Sequence, residues 1–224
     1  MFNIPKPAST VLLIDEKIRV YLTKRPKTMK VLAGYHVFPG GSVENEDSVM
    51  AKNFIRNWHD SQQLGLGHYV AAIRELFEEV GIFLGKKNNG TPFKLSSNEM
   101  IDYRRLLINQ EISFSEMLKQ ENLHLDFSHL TYFGHRITPK YKPIRFDTRF
   151  FLAKLPNGQS PKPERFEIDD ASWMTPEEAL SSYEIGKMLL ASPTIESLRT
   201  LCKYQTGEKP MMPLQRQNPL AESK

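Results

Sequence analysis

Residues 71–82, AAIRELFEEVGI, constrain the fold of this chain more than any other segment. In a helix with about 100° between residues, four apolar side chains fall on one stripe, the pattern of a helix that packs on a core. This stripe consists of Ile73, Leu76, Phe77 and Val80. Gly81 is expected to end the helix in the left-handed conformation, and residues 82–84 are expected to form a short buried strand.

The other side of this helix carries three glutamates, Glu75, Glu78 and Glu79. Like charges three or four residues apart repel by about 0.2–0.5 kcal/mol per pair on an exposed helix. Arg74 lies four residues before Glu78 and can relieve only part of this repulsion. The glutamates therefore form either a solvated acidic face or a site that holds a cation.

The segment HVFPGG at residues 36–41 lies upstream of the acidic helix. Pro39 restricts the chain, and the Gly40-Gly41 pair permits a turn and a close approach of the backbone. Such a loop can bring backbone carbonyls to the same point as the carboxylates. Hard cations take oxygen ligands, so an all-carboxylate cluster favours Mg2+ or Mn2+ over zinc.

The loop and the helix together resemble the Nudix box, Gly-x5-Glu-x7-Arg-Glu-U-x-Glu-Glu-x-Gly-U, where U is a bulky aliphatic residue. The second half is present from Arg74 to Ile82, and the first half begins at Gly41. Asp47 stands where the box has its first glutamate, and 26 residues instead of seven separate it from Arg74, so 19 extra residues split the box. Asp47 is therefore either the box carboxylate or only a helix N-cap.

A split box is similar to that of the peroxisomal coenzyme A diphosphatase group and its bacterial relatives. PASTVLLIDE at residues 7–16 and RFDTRFFLAKLPNGQ at residues 145–159 support this resemblance. Residues 21–41 partly resemble the coenzyme A motif of Nudix enzymes: Arg25 agrees, and Lys30 stands where that motif has a second arginine. The spacing between them is one residue short, and Pro26-Lys27 replaces the Ser-Ala pair of the motif.

The resemblance implies a metal-dependent hydrolase that cleaves a diphosphate linkage. It implies that Glu75 and Glu79 are metal ligands and that Glu78 is a third ligand or the base that positions water. Arg74 would hold the glutamates by charge-assisted hydrogen bonds, and the Gly41 carbonyl would complete the metal shell.

Three further side chains enter by the same resemblance. Arg25 and Lys30 would bind a substrate phosphate, although the basic clusters around residues 24–30 and 140–145 could equally be solvated faces. Glu167 is a candidate for an additional metal-binding carboxylate, and its alternative is a plain surface charge.

The pattern of apolar residues and breakers predicts an α/β chain, and the resemblance makes it the Nudix fold, a mixed β-sheet sandwiched between helices. Strands are expected at residues 8–14, 17–24, 130–137, 147–154 and 166–173, and helices within 95–120, at 176–183 and at 193–204. Met50, Phe54 and Trp58 are four residues apart, so the insertion at about 48–66 is expected to be a helix that packs over the substrate entrance or in the interface of a homodimer. The Nudix domain would span 1–204, and residues 205–224, with three prolines, would be a flexible tail.

Composition indicates the class of protein, its cellular compartment and the partners that are not expected. The chain has 224 residues and one cysteine, so it suits a single domain without an internal disulfide, and the cytoplasm is expected. No apolar run of membrane-spanning length occurs, so no membrane partner is expected. The net charge of +4 is mild, and aromatic residues do not interleave with the basic clusters, so nucleic acid is not an expected partner.

Three functions remain open from the sequence. The first is a diphosphatase of coenzyme A or acyl-coenzyme A. The second is a pyrophosphatase of another small nucleoside diphosphate derivative, such as ADP-ribose or a dinucleotide. The third is a Nudix-fold nucleotide-binding regulator without turnover, against which the intact carboxylate cluster argues.

Overall fold

The computed structural model describes residues 3–58, 64–205, 207–208 and 210–215. The strands are β1 (Lys6–Ile14), β2 (Val20–Lys24), β3 (His36–Val37), β4 (Gly40–Ser42), β5 (Ile55–Arg56), β6 (Gly85–Lys87), β7 (Leu123–Asp126), β8 (Thr131–Ile137), β9 (Phe146–Lys154) and β10 (Asp170–Met174). The helices are α1 (Asn45–Ser48), α2 (Leu66–Val80), α3 (Ser97–Ile108), α4 (Phe114–Gln120), α5 (Pro176–Glu184) and α6 (Ser192–Gln205).

The main sheet is mixed, with the strand order β10-β2-β1-β9-β8. Its centre is β1, which pairs in parallel with β9 from Lys6↔Phe146 to Ile14↔Lys154 and antiparallel with β2. The short strand β4 adds to β1 through the pair Ser9↔Gly41, while β3 adds to β2. A second, small sheet has the order β5-β7-β6.

Side chains of the main sheet alternate between two hydrophobic cores. On β1, Val11 and Leu13 belong to the core that includes Phe77 of α2. The next residues in the alternation, Leu12 and Ile14, belong to the core built with α5 and α6. Helices therefore cover both faces of the sheet, as the sequence predicted for an α/β fold.

Helix α2 matches its prediction closely. The four residues of the predicted stripe are fully buried, and Gly81 ends the helix with a φ of 70° in the left-handed region. The strand predicted at residues 82–84 was wrong, because the backbone there is buried without joining a ladder. The side chain of Gln159 accepts from the Phe83 N–H at 2.9 Å and donates to its carbonyl at 2.8 Å, so a side chain takes the place of a neighbouring strand.

The helix predicted for the insertion was also wrong in the residues that the structure describes. Residues 52–54 form a 3-10 turn, and β5 follows as a parallel partner of β7, with Ile55 opposite Leu125. Residues 59–63 lie outside the described residues. A four-residue spacing of apolar side chains fits a helix, but pairing with a distant strand determines the local structure here.

The three spaced side chains of the insertion nonetheless pack on one core. Met50 is buried in the core cluster of α2, and Phe54 and Trp58 pack against it. The Trp58 ring lies 5.5 Å from the Tyr69 ring and 5.8 Å from the Phe127 ring, centroid to centroid. The insertion is thus anchored to the body of the domain beside α2.

The segment predicted as a tail is described only in part. Residues 216–224 lie outside the described residues, whereas Met212 is buried and its N–H donates to the Phe133 carbonyl of β8 at 2.7 Å. The Gln215 side chain bonds both the N–H and the carbonyl of Ile137. Residues 210–215 therefore lie along the β8 edge of the main sheet.

Among the described helices, none combines the length and the apolar content needed to cross a bilayer.

Candidate active site

The carboxylates of α2 lie where the helix meets β4. Glu78 is 9% exposed and Glu79 is 7% exposed, so the side of the helix that the sequence left as either solvated or cation-binding is not solvated. The Gly40 N–H donates to Oε2 of Glu79 at 3.0 Å. A Cβ at Gly41 would overlap the Glu75 carboxylate, so a larger residue at this position would require that carboxylate to shift.

Arg74 joins the carboxylates to one another. Its Nη1 donates to Oε1 of Glu75 at 3.0 Å and to Oε2 of Glu78 at 3.1 Å. Its Nε and Nη2 donate to the two oxygens of Asp47, each at 3.0 Å, and Nη2 also donates to the Ser42 carbonyl at 2.9 Å. This planar donor set ties α1, β4 and α2 together.

Asp47 serves both the start of α1 and Arg74. It is 2% exposed, and its Oδ2 accepts from the Glu44 N–H at 2.8 Å. The N-cap position of α1 belongs to Glu44, and Asp47 is the third helical residue. The residue that stands at the first carboxylate of the split box is therefore the main ion-pair partner of Arg74.

Burial dominates the electrostatics of the glutamates. It raises the pKa of Glu75 to about 7 and that of Glu78 to about 8, although the Arg74 charge acts in the opposite direction. Burial, together with the Glu75 charge, raises the pKa of Glu79 well above its usual range. Burial disfavours the Arg74 cation, but the Asp47 hydrogen bond and the surrounding carboxylates raise its pKa overall.

The donor set fits a hard divalent cation. Three crowded carboxylates and a glycine backbone offer only oxygen, and a bound cation would allow all three carboxylates to ionise inside the protein. Within the described ranges, no three acidic, histidine or cysteine side chains already converge as metal ligands. Arg74 and the Gly40 N–H engage one oxygen of each of these carboxylates, and every carboxylate has further lone pairs with which it can bind a cation.

The C-terminal end of α2 is held by a residue that sequence reasoning missed. Arg104 of α3 is 3% exposed, and it donates from Nε to the Glu78 carbonyl and from Nη2 to the Glu79 carbonyl, both at 2.8 Å. Its Nη1 donates to the Lys162 carbonyl at 2.9 Å. One signal was present in the sequence, because Arg104 lies on the apolar stripe of Met100 and Leu107.

The loop around residues 162–168 packs on the same helix end. The Lys162 N–H donates to the Val80 carbonyl and the Glu164 N–H to the Glu79 carbonyl, each at 2.8 Å. Glu167 follows in this loop, and its charge contributes to the raised pKa of Glu75 and Glu79. The structure thus brings Glu167 near the cluster.

The two predicted substrate-binding cations differ in position. Arg25 is partly buried, its Nε donates to the Val31 carbonyl at 3.1 Å, and its charge acts on Glu79. Lys30 is exposed, and no contact within the described residues links it to the glutamates.

The fold is shared with a known class of proteins. A crystal structure of a NUDIX hydrolase from Alicyclobacillus acidocaldarius superposes with a TM-score of 0.77 at 31% sequence identity, covering 90% of this chain and 92% of that chain. The fold is therefore the Nudix fold. A sequence model of the NUDT19 Nudix domain matches residues 62–201, which include α2, and the chain belongs to this family.

Two curated relatives are longer than this chain. Acyl-coenzyme A diphosphatase NUDT19 of Xenopus laevis is 26% identical over 83% of this chain and 60% of its own length. A nudix relative from Caenorhabditis elegans is 26% identical over 92% of this chain and 66% of its own length. The chain thus spans 60–66% of the length of these relatives.

Proposed function

We propose that this protein is a metal-dependent hydrolase that cleaves the diphosphate linkage of coenzyme A or acyl-coenzyme A. The observation that carries this proposal is the gathering of Glu75, Glu78 and Glu79 against the Gly40-Gly41 backbone, with Arg74 between them. Membership of the NUDT19 Nudix domain family supports the class of reaction.

The proposed cofactor is Mg2+ or Mn2+, held by Glu75 and Glu79. Glu78 would be a third ligand or the base that takes a proton from the attacking water, and the Gly41 carbonyl would be a further oxygen donor. When bound, the cation supplies charge neutralisation for the diphosphate and a lowered pKa for the attacking water.

Arg74, Asp47 and Arg104 would act as positioning residues. Arg74 fixes the spacing of Glu75 and Glu78, and Asp47 fixes Arg74 through two parallel hydrogen bonds. Arg104 holds the carbonyls of Glu78 and Glu79, and thus the helix turn from which these side chains project. Glu167 would supply an additional carboxylate from the facing loop.

Coenzyme A is the preferred substrate class for two reasons. The relative from Xenopus laevis is named an acyl-coenzyme A diphosphatase, and residues 21–41 partly match the coenzyme A motif. Arg25 lies close enough to the cluster for its charge to affect Glu79. It would bind a phosphate distant from the scissile linkage, for which the 3′-phosphate of coenzyme A is the candidate, and Lys30 would assist from the surface.

The test is a screen of product formation over coenzyme A, acetyl-coenzyme A, ADP-ribose and a dinucleotide, with Mg2+ or Mn2+. We expect 3′,5′-ADP and a phosphopantetheine product to form fastest. Faster cleavage of ADP-ribose or of the dinucleotide would move the assignment to the second substrate class. Binding without turnover of any of these ligands would favour a nucleotide-binding regulator.

A comparison of two substrates tests whether Arg25 binds the 3′-phosphate of coenzyme A. We expect 3′-dephospho-coenzyme A to have a lower kcat/KM than coenzyme A, and Arg25→Ala to remove most of that difference. Lys27→Ala is the matched control, because Lys27 is an exposed cation on the same segment. Equal kcat/KM values for both substrates with the unaltered protein would contradict a contact to the 3′-phosphate.

A further inference from the structure

A large cleft opens beside Glu78, and Arg25 is not among the residues that line it. Its volume is about 890 Å3, and it lies between α1, residues 49–54 of the insertion and the connection from α3 to α4. Small-molecule sites in proteins commonly measure about 300–1,000 Å3. The cleft is therefore large enough for a substrate arm that extends from the metal cluster.

The lining of this cleft has two main chemical parts, and four uncharged polar residues lie among them, Asn45, Gln110, Ser113 and Ser115. Apolar side chains form one part, and they are Val49, Met50, Ala51, Phe54, Leu107, Ile112 and Phe114. Carboxylates form the other part, and they are Glu44, Glu46, Glu111 and Glu116 together with Asp47 and Glu78. A carboxylate accepts hydrogen bonds and repels anions, so the cleft favours an uncharged ligand with N–H or O–H donors and an apolar end.

No cation in the described lining is available for a phosphate. Arg74 is the one Arg or Lys among these lining residues, and its donors already bond Asp47, Glu75, Glu78 and the Ser42 carbonyl. A phosphate in the cleft would meet the carboxylates without a free positive partner. The free-energy cost of removing the phosphate from water would then not be offset by an ion pair.

The surroundings of Glu79 differ in charge from those of Glu78. Glu79 lies near the Arg25 charge and accepts from the Gly40 N–H, whereas Glu78 lies near the charges of Glu44 and Asp47. The cations Lys24 and Lys30 belong to the same segment as Arg25. An anionic nucleotide bound across the cluster would therefore place its phosphates near Arg25.

We propose that the cleft between α1, residues 49–54 and the α3–α4 connection binds the uncharged acyl-pantetheine arm of the substrate. The inference rests on the proposed function, and it fixes the direction in which coenzyme A lies across α2. The two amide groups of that arm are donors for the carboxylate rim, and an acyl chain contacts the apolar part. An acyl chain that carries a charge is selected against by the same rim.

The first experiment varies the cleft wall at two exposed positions. Val49 is 80% exposed and Ala51 is exposed, so Val49→Asp and Ala51→Trp alter the lining without removing core contacts. Ile101→Asp is the control, because Ile101 is a 57% exposed apolar residue of α3 that does not line the cleft. Thermal melting verifies that all three variants are folded.

Two quantities are measured for acetyl- and octanoyl-coenzyme A. Calorimetry gives the affinity of each ligand for the metal-free protein, and kinetics with metal give kcat/KM for each substrate. Burial of methylene groups can raise affinity by up to about fourfold per group, so the unaltered protein should prefer the octanoyl ligand. Both cleft variants should lower the octanoyl-to-acetyl ratio about tenfold, and Ile101→Asp should leave it unchanged. An unaltered ratio with normal coenzyme A turnover overturns the cleft assignment alone, whereas absent turnover of every coenzyme A substrate overturns the proposed function as well.

The second experiment tests the acidic rim. Butyryl- and succinyl-coenzyme A have acyl groups of equal chain length, and only the succinyl group carries a carboxylate. We expect the unaltered protein to disfavour succinyl-coenzyme A about tenfold, and Glu46→Lys with Glu111→Lys to remove most of this preference. Equal kcat/KM values for the two substrates with the unaltered protein would contradict charge selection by the rim.

Discussion

Helices α2 and α3 carry similar numbers of charged residues, but most of these side chains are buried on α2 and exposed on α3. On α2, Arg74, Glu78 and Glu79 are all at most 9% exposed, and they contact one another or the neighbouring loop. On α3, Arg105 and Asp102 form a pair at 3.8 Å in which each side chain is 64% exposed. Because burial of repelling carboxylates opposes folding, the α2 arrangement needs a functional reason, whereas the α3 pair needs none.

Arg104 connects these two helices. It is the buried exception on α3, and its partners are backbone carbonyls of α2 rather than another charged side chain. Its positive charge lies at the C-terminal end of α2, where the helix dipole favours a cation. Helix α3 thus supports α2 at the turn that carries Glu78 and Glu79.

The largest expected difference between the helices is in turnover. Glu79→Gln should lower the turnover number by roughly two to three orders of magnitude, because it would weaken a proposed ligand of the metal that neutralises the diphosphate. Its melting temperature should be unchanged or higher, because a buried repulsion is relieved. Asp102→Asn on α3 is the control and should keep both values, so a similar loss of turnover in both variants would contradict a specific role for α2.

The next difference is in stability. Arg74→Ala should lower the free energy of unfolding by about 3–5 kcal/mol, because Asp47 would remain buried without its partner. Arg105→Ala should lower it by less than about 1 kcal/mol, because its ion pair is exposed to solvent. Urea denaturation of both variants measures the two values, and equal values would remove the contrast between the helices.

A smaller effect is expected where the two helices meet. Arg104→Ala should lower the free energy of unfolding by about 1–3 kcal/mol, because buried carbonyls lose their donors. It should also raise the Mg2+ concentration for half-maximal rate, with an effect of about 10–100-fold on metal affinity or activity. Arg104→Lys should recover part of the stability and part of the metal affinity. If Arg104→Ala is destabilised but its Mg2+ requirement is unaltered, Arg104 has a structural role only.

The last expected effect is a dependence of stability on pH. Burial raises the pKa of Glu75 to about 7 and of Glu78 to about 8, so the folded state holds protons that the unfolded state releases near the ordinary glutamate pKa. The stability of the metal-free protein should therefore fall as the pH rises from about 5 to about 8. Melting temperatures across this range should show a shallower fall for Glu78→Gln, and equal slopes would indicate that other groups dominate.

The sequence predicted α2 well because the residues that determine this helix are close together in the chain. The apolar stripe sets the buried face, and Gly81 sets the end of the helix. The consecutive buried residues on β1 and β9 follow from apolar runs in the same way. The burial of Glu78 and Glu79 was not predictable from their spacing, because it depends on β4 adding to β1 beside the helix.

Local sequence patterns did not predict the structure of the insertion or the contacts of Arg104. Met50, Phe54 and Trp58 have helical spacing, yet β5 forms because β7, far along the chain, offers an edge for Ile55. Arg104 lies in an apolar stripe, but its acceptors are carbonyls at the end of another helix. Both features arise from tertiary partners that a single sequence does not identify.

The central claim is that the α2 carboxylates form the metal site of a diphosphatase. The most direct test measures product formation from coenzyme A with Mg2+ or Mn2+, with excess chelator, and after metal is restored, together with elemental analysis of the protein. We expect turnover only when metal is present, full recovery when metal is returned, and a raised melting temperature of the metal-bound protein. Full turnover in excess chelator, with no metal found in the protein, would contradict the central claim.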